Sequence, residues 1–557
     1  PQPGTNVFHH FKIRRGDMAA AMAQADMILE NRFEIPLVQH VQIEPHGALG
    51  IYNQGEGMLM HSSTQAPFIV RETLSRLLEM PLAAVHIRAP YLGGGFGGKS
   101  DVTIEPLLGL VLKAFPGKWC KLVLDREEVF TGTVIGRGLT GYYRTALSRD
   151  GVLLGAEIKL FWNGGGYGDY AVNIVTGGGV SACGPYEIPN LTVDSYGVYT
   201  NTPLVGAYRG YGHPETHWCM ERHMDSISRE LGLSPVELRL KNCLGPGKVN
   251  AIGQIISGHN GDLAGCIQRT AEILEKDKPS DKNEHRKKGW GIAAFGKFPV
   301  MPTNAQSGAT VRVNPDGTLC LATGAVEMGQ GLNTAMAQIL ATALGVEVDR
   351  VTVQSGVDTD SSPYEWQTVA SHSTWAVGNA VLKAAADLIH KWKTDVTQLW
   401  GCTLADVVYS EGWVEYKAFG IKLRVEELGP DILGVGCFEP SGLSYLDGET
   451  GQGNLAADWT FGCQGAEIEI LDESGEIQIN KLVTVIDAGR IINKQLAAEQ
   501  IKGAMVQALG ATLYEQLIFS STGELRNGDL VDYKIPTAAD IPGEMLEIGR
   551  ASCRERV

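Results

Sequence analysis

The sequence lacks closely spaced cysteines. Its ten cysteines are dispersed over 557 residues, and none has the C-x-x-C spacing that zinc sites and ferredoxin-type clusters use. The sequence therefore predicts neither kind of site. No secretory signal pattern stands at the amino end, which favours reduced thiols and a cytoplasmic location.

Long apolar runs and basic runs are also missing. The best apolar run, residues 107–112, is far shorter than the ~18 residues that a bilayer span needs. Lys and Arg total 47 against 63 Asp and Glu, a net charge of −16, and no basic cluster outweighs that excess of acid. We therefore expect a soluble protein that binds neither a membrane nor nucleic acid.

Glycine is the residue type in excess. The 69 glycines are about twice the usual share and have no Gly-X-Y period. Many backbone positions are therefore expected to need a positive φ or a close approach to a ligand.

Short β-like runs alternate with helical patterns, which predicts an α+β chain. We expect a strand over 85–89 and helices over 67–79 and 214–231. Strands are expected to dominate residues 121–198, with the glycines at 177–179 as an interruption. At ~100–200 residues per domain, a chain of this length predicts two to four domains.

Composition also suggests domain boundaries. The charged run 275–288 is the sharpest change in the sequence and predicts a linker between domains at 18–274 and 289–547. Residues 1–17 resemble the tail of a missing upstream domain. Residues 548–557 (IGRASCRERV) resemble a translated short-read sequencing adapter, so we expect this decapeptide to be an artefact.

One glycine loop matches a nucleotide-binding pattern. Residues 93–100 (GGGFGGKS) satisfy G-x-x-x-x-G-K-[ST], and Asp125 ends a hydrophobic run that resembles a Walker B strand. Pro90, however, interrupts the strand that should lead into a P-loop. A P-loop NTPase is therefore the alternative hypothesis, and a flat run of backbone N–H groups facing an anionic or oxo-bearing ligand is the preferred one.

Three further loops carry polar side chains next to helices. Arg209 lies among glycines, where it suits a planar or anionic substrate or, alternatively, a structural salt bridge. Gln330 stands between two glycines before a predicted helix, either near an anion or as a simple loop amide. Residues 368–374 (TVASHST) precede another helix, for which capping is a sufficient explanation.

Together these loops resemble the molybdenum-binding large subunit or domain of the xanthine dehydrogenase/aldehyde oxidase family of molybdenum hydroxylases. The resemblance runs from about Met18 to Glu547 and depends on the order of the segments 63–68, 93–99, 207–212, 327–331, 370–373, and 487–489 with 533–537. It implies an α+β fold with two large mixed α/β molybdopterin-binding domains and the cofactor in the cleft between them. In this family the glycine loop lies against the molybdenum site and binds no ATP phosphate.

The resemblance also implies roles for individual residues. Arg209 would orient the substrate and stabilise charge that develops on it, while Tyr211 and Phe96 would contact the substrate ring. Gln42 remains an alternative to Gln39 as the glutamine near the apical oxygen of the metal. The implied cofactor-binding residues are Gln39, Phe96, Gly97, Met328, Gly329, Gln330, Ala370, Ser371, Ser373 and Gln500. Molybdenum would be held by the dithiolene of the pterin, without a side-chain ligand.

The implied reaction is hydroxylation of an electrophilic carbon of a xanthine-like N-heterocycle with oxygen from water, with an aldehyde as the alternative substrate. Electrons would leave through 2Fe-2S and FAD groups on partner subunits, in a hetero-oligomer. The mononucleotide and cytosine dinucleotide forms of the pterin both stay open.

Three departures from the family pattern stand out. Ser100 replaces the glutamate of purine-oxidising members, and Gly177 stands where they have an arginine. The catalytic glutamate of a downstream Gly-x-Gly-Glu segment has no counterpart in the sequence. We therefore expect the general base to be missing and this fragment to be inactive.

Overall fold

A computed structural model describes residues 4–276, 286–298, 305–429 and 432–550. The strands in these ranges are β1 (Val7–Arg15), β2 (Met27–Val38), β3 (Gly47–Asn53), β4 (Gly57–Ser62), β5 (Val85–Ala89), β6 (Cys120–Val123), β7 (Gly136–Leu147), β8 (Leu153–Asn163), β9 (Asn190–Val198), β10 (Arg286–Lys297), β11 (Ser307–Val313), β12 (Leu319–Thr323), β13 (Val351–Val353), β14 (Val357–Asp358), β15 (Val407–Ser410), β16 (Trp413–Tyr416), β17 (Ile421–Arg424), β18 (Leu433–Phe438), β19 (Thr460–Leu471), β20 (Ile477–Asp487) and β21 (Glu544–Arg550). The α-helices are α1 (Met18–Gln24), α2 (Pro67–Leu77), α3 (Glu105–Ala114), α4 (Arg126–Gly132), α5 (Ala171–Val180), α6 (His213–Leu231), α7 (Pro235–Asn242), α8 (Leu263–Lys276), α9 (Leu332–Leu344), α10 (Ser373–Trp400) and α11 (Lys494–Leu513).

The predicted α+β class is confirmed, and several helix ends follow their local sequence. α6 begins where Pro214 fits the first turn, because proline has no N–H to leave unpaired there. It ends at Gly232, whose left-handed backbone closes the helix. The strand predicted over 85–89 is β5, and the helix predicted over 67–79 is α2.

The chain forms two compact units, each built from separated stretches. The first unit contains Pro1–His40, Arg126–Val300 and Gly442–Val557. Its sheets have the strand orders β1-β9-β8-β7-β2 and β10-β19-β20-β21. Side chains alternate between buried and exposed along β8, and the larger sheet packs against α5 and α6. Trp162, Tyr143 and Tyr186 lie in the core of this unit.

The second unit contains Val41–Asp125 and Met301–Ser441. Its sheets have the orders β14-β5-β4-β3-β6, β13-β12-β11-β18 and β15-β16-β17. α10 packs on β18 and β11. This close approach requires a glycine on β18, because a Cβ on Gly436 would lie 2.0 Å from the carbonyl oxygen of Ala380 on α10.

The glycines at 177–179 interrupt the strand-rich region as the sequence predicts, between β8 and β9, although they do so within a helix and not in a loop. They lie in the buried helix α5. A Cβ on Gly178 would lie 2.1 Å from the Trp162 ring, and a Cβ on Gly179 would lie 2.3 Å from the Phe11 ring. Glycine is needed here because two large aromatic side chains occupy the space beside the helix.

Two predicted segments fall largely outside the described residues. α8 ends at Lys276 and β10 begins at Arg286, so most of the predicted linker 275–288 lies in the gap. From residue 551 onward the predicted artefact segment is also outside, and residues 548–550 belong to β21. The domain boundaries drawn from composition stay a prediction. In the part of the chain that the structure describes, no helix is both long and apolar enough to cross a membrane.

Candidate functional site

Unusual backbone conformations concentrate at the loops that the sequence singles out. The described non-glycine residues with positive φ are Val41, Glu79, Phe96, Tyr211, Ala370, Ser371 and Glu411. Four of these seven are predicted site residues, with φ of 53° at Phe96, 56° at Tyr211, 59° at Ala370 and 55° at Ser371. Such a conformation costs on the order of 1–3 kcal/mol and persists only where the surroundings impose it, commonly at ligand-binding loops.

The glycine loop of the second unit does not form a P-loop. The Lys99 side chain is fully buried, and its Nζ lies 2.7 Å from Oε2 of Glu44. α3 begins only at Glu105, five residues beyond Ser100, and the Walker-B-like strand β6 is a sheet edge separated from β5 by two strands. The P-loop alternative is therefore wrong for this loop, because its lysine is committed to an internal ion pair and no helix follows the motif directly.

The same loop presents Phe96 and Gly97 on a supported backbone. Both are half-buried, and the Gly97 N–H donates to Oε1 of Gln65 at 3.1 Å. A Cβ on Gly95 would lie 2.4 Å from that oxygen, so glycine allows Gln65 to approach the loop closely. Gln65 lies in the segment 63–68 but was not among the predicted site residues.

The two candidate glutamines lie in different units. Gln39 ends up in the first unit, where its N–H donates to Oη of Tyr533 and its Nε2 donates to the Val129 carbonyl, both at 3.0 Å. Its Oε1 accepts from the backbone N–H of His40. Gln42 belongs to the second unit, beside the glycine loop, where a Cβ on Gly94 would lie 3.5 Å from its Cβ. The choice between them for the apical position stays open.

The loop before α9 is closed by its own side chains. Glu327 accepts three backbone N–H bonds at 3.0 Å, from Gly329, Gly331 and Asn333, so its carboxylate caps the start of α9. Gln330 accepts from the Met328 N–H at 2.7 Å and donates to the Val326 carbonyl at 2.9 Å. The sequence predicted that an anion could lie at this helix terminus, and the Glu327 carboxylate is an anion in that position. Glu327 was not among the predicted site residues.

α10 begins differently. It starts at Ser373, with His372 between it and the positive-φ residues Ala370 and Ser371, and no side chain among the described residues caps its first turn. His372, the residue before the helix, instead points an Nε2 at Oε1 of the buried Glu365, 2.9 Å away. The first-turn N–H groups of a 28-residue helix thus have no side-chain acceptor from this segment, which suits an anionic group.

Arg209 is held by α11 in the first unit. Its Nη1 donates to Oε1 of Gln507 at 3.1 Å, and its Nη2 donates to the carbonyl oxygen and Oε1 of Gln500 at 2.9 and 3.1 Å. Desolvation by burial lowers the pKa of Arg209 below its ordinary value. No carboxylate within the described ranges forms an ion pair with it, which argues against the structural salt bridge considered from the sequence.

Tyr211 and Ser100 are two further positions that the sequence singled out. Tyr211 is half-buried and packs against the core of the first unit. Ser100, for which the resemblance implies the position of a glutamate in purine-oxidising enzymes, is buried and donates from Oγ to the Gly97 carbonyl at 2.7 Å. Over the described ranges, no three His, Cys, Asp or Glu side chains come together in an arrangement that would hold a metal ion.

Comparison with known proteins gives consistent matches. Residues 1–243 and 267–542 each match a family model described as a molybdopterin cofactor-binding domain. The xanthine dehydrogenase molybdenum-binding subunit of Escherichia coli O157:H7 is 28% identical over 549 residues, which cover 97% of this chain and 72% of that protein.

Solved structures agree with this similarity. Quinoline 2-oxidoreductase from Pseudomonas putida 86 is 25% identical with a TM-score of 0.87, and the match covers 98% of this chain and 72% of that one. The aldehyde oxidoreductase from Desulfovibrio gigas shares the fold with a TM-score of 0.87 at 24% identity, over 99% of this chain and 59% of that one.

Proposed function

This chain belongs to the molybdenum hydroxylase family, and from that premise we propose that it is the molybdenum-binding catalytic chain of an enzyme that hydroxylates an N-heterocycle with oxygen from water. The observation that carries the proposal is the positive φ shared by Phe96, Tyr211, Ala370 and Ser371. Four strained residues on three separate loops are expected where a protein is shaped around a ligand rather than for its own stability.

The residues present fit a pterin with a phosphate-bearing tail. In the second unit, the uncapped start of α10 at Ser373 offers backbone N–H donors. Gly329 has a φ of 98° and open space on its Cβ side, so a ligand could approach its backbone. We propose that Phe96, Gly97, Met328, Gly329, Gln330, Ala370, Ser371 and Ser373, with Gln39 and Gln500 of the first unit, hold the cofactor.

When bound, the molybdenum cofactor supplies the two-electron oxidation that converts a C–H bond to C–OH. The chain's own residues bind and orient the substrate. Arg209 would donate hydrogen bonds to an oxygen of the substrate and stabilise negative charge that develops there, because its guanidinium is charged and fixed by α11. Tyr211 and Phe96 would contact the ring faces. We assign no general base to the described residues.

The substrate preference depends on what surrounds the ring. Ser100 and Gly177 remove the acid and the arginine that the family uses for purines, and the Ser100 hydroxyl is bonded within its own loop. This supports an N-heterocycle that carries fewer polar groups than a purine. An aldehyde is the second candidate, because the same loss of an acid leaves a small, weakly polar position beside the glycine loop.

We further propose that electrons leave through 2Fe-2S and FAD groups on partner subunits. The absence of C-x-x-C spacing supports a relay outside this chain. One relative is itself named as a molybdenum-binding subunit, which supports a hetero-oligomer.

The test is metal and substrate analysis of the purified protein with its co-expressed partners. We expect about one molybdenum per chain, pterin fluorescence after oxidation, and turnover with an artificial electron acceptor. A panel of xanthine, hypoxanthine, nicotinate and benzaldehyde separates the heterocycle from the aldehyde. Protein without molybdenum that binds ATP through Lys99 would overturn the proposal.

A further inference from the structure

Tyr211 lies between two glycines in the turn that leads into α6. Gly210 and Gly212 have φ of 101° and 87°, and Tyr211 itself has a φ of 56°. A Cβ on Gly212 would lie 3.0 Å from the backbone N of Gly178 on α5, so the turn lies directly against that helix. Glycine adopts these conformations without strain, but a tyrosine with a positive φ needs support from its surroundings.

His213 supplies this support. It is the first residue of α6, and its side chain folds back over the turn. Its Nδ1 lies 3.0 Å from the Gly210 carbonyl oxygen and 3.4 Å from the Tyr211 carbonyl oxygen. Carbonyl oxygens only accept hydrogen bonds, so the proton of the neutral ring is assigned to Nδ1 and is shared between the two oxygens.

The two carbonyls that accept this proton flank Tyr211 and define its backbone conformation. In a helical conformation of either hand, successive carbonyls point to the same side of the chain, so one donor reaches both. In an extended conformation they point to opposite sides. A donor bonded to both carbonyls therefore favours the positive-φ conformation of Tyr211 over the extended one.

The imidazole is fixed in turn by its neighbours in the first unit. Only 3% of His213 is exposed, and its ring meets the Phe298 ring edge-on, with centroids 4.6 Å apart. The His217 ring is nearly parallel to it at 6.0 Å and accepts a hydrogen bond from the Gly296 N–H at the end of β10. Burial lowers the pKa of His213 well below its ordinary value, so the ring stays neutral. The turn is thus held in place by the packing of α6 against β10.

We infer that His213 is a positioning residue that holds Tyr211 in the conformation in which it contacts an aromatic substrate ring. This inference rests on the proposed function, which places Tyr211 against the ring, and adds the residue that orients this contact. His213 acts through Tyr211, because its own ring is buried beside β10. Loss of the Nδ1 donor should therefore impair the use of ring substrates and spare a small aliphatic aldehyde.

The test replaces His213 with two amides of different length in the complete enzyme. The asparagine nitrogen lies near the place of Nδ1, whereas the glutamine nitrogen lies near the place of Nε2. We expect His213→Gln to lower kcat/KM for quinoline at least fivefold, mainly through a higher KM, and to change kcat/KM for acetaldehyde less than twofold. His213→Asn should keep both values within twofold of the wild-type protein. His390→Gln, the same substitution at an exposed position on α10, should change neither value.

A double-mutant cycle tests whether His213 acts through Tyr211. In a Tyr211→Ala background, His213→Gln should change kcat/KM for quinoline less than twofold, because the contact that it orients is already absent. If His213→Gln does not fold, His213→Leu makes the same comparison, because it removes the donor and keeps a similar volume.

Hydrogen exchange over residues 208–213 gives a readout that needs no turnover. Exchange should be faster in His213→Gln than in the wild-type protein and unchanged in His213→Asn. Equal exchange in all three proteins would overturn the inference. So would equal losses for quinoline and acetaldehyde, a loss in His213→Asn as large as in His213→Gln, or a full effect in the Tyr211→Ala background. Protein that holds no molybdenum and turns over neither substrate would instead overturn the proposed function.

Discussion

At the scale of single residues, replacing Arg209 with Lys keeps the positive charge and removes the planar fork. A lysine amine cannot serve both glutamines and a substrate oxygen at once. We expect kcat/KM to fall roughly 30-fold to 150-fold, about 2–3 kcal/mol of transition-state stabilisation, with little change in Tm. Steady-state kinetics and a thermal melt measure the two effects. Unchanged turnover would show that Arg209 has a purely structural role.

The sequence could single out Arg209 because glycines surround it, but it could not identify what holds it. Gln507 lies almost 300 residues further along the chain, on a helix whose approach depends on the tertiary fold. Likewise, Glu327 was visible in the motif 327–331, yet its role as the cap of α9 depends on a loop conformation that no spacing rule gives.

At the scale of elements, a glycine-to-alanine substitution in α5 should change stability in the direction opposite to the one that helix propensity predicts. Gly to Ala inside a helix ordinarily stabilises it by about 1 kcal/mol. Gly178→Ala should instead destabilise the protein by about 1–3 kcal/mol, because the new methyl group would lie 2.1 Å from the Trp162 ring. Urea denaturation measures the change.

The matched control for Gly178 is Gly503→Ala on α11, where the nearest atom outside the helix is 3.9 Å away. This variant should be neutral or slightly more stable. Equal effects at the two positions would contradict the packing of α5 against Trp162. The contrast also explains why the sequence could not predict the role of these glycines: it shows where side chains are absent, but not which neighbour fills the space.

The helix α6 carries three buried histidines, His213, His217 and His223, that should make stability depend on pH. Burial lowers the pKa of His213 well below its ordinary value. Burial lowers the pKa of His217 and of His223 to about 4, and the ring of His217 accepts a hydrogen bond from the Gly296 N–H. The unfolded chain takes up protons below pH ~6.5, whereas the folded chain does not until about pH 4. Stability should therefore be complete above pH 6.5 and fall as the pH drops, by roughly 2 kcal/mol per histidine at pH 5.

Urea denaturation between pH 7.5 and pH 5 measures this dependence. His223→Gln should lower stability at neutral pH and also remove about a third of the pH-dependent loss that the three histidines cause. His390→Gln, at an exposed position on α10, should leave the slope as it is. A pH profile that His223→Gln does not flatten would rule out this histidine as a source of acid sensitivity.

At the scale of the whole molecule, loading with the molybdenum cofactor should stabilise the loops that carry it. Protein produced without molybdate should melt several degrees lower, since a ligand that binds only the folded state adds to its stability. Hydrogen exchange should rise at residues 94–97, 328–331 and 370–373 and stay unchanged in β3. Exchange that is the same in both forms would exclude these loops as cofactor contacts.

The fold class could be predicted from the sequence, because helical and strand periodicities are local. The assembly of the two units was not, since it depends on pairings between distant segments. β10 pairs with β19, which begins at Thr460, and β1 pairs with β9. No composition change marks the points at 40 and 441, two of the four places where the chain passes from one unit to the other.

This interleaving of the two units sets an order of events on the ribosome. The second unit has all its residues once position 441 has emerged. In the first unit, β1 and β10 are synthesised before the strands with which they pair. Until β19 and β20 are synthesised, β10 exposes an unpaired edge in the nascent chain. Translation speed and chaperone supply over residues 442–487 should therefore govern the yield of folded protein more than the same variables do earlier in the message.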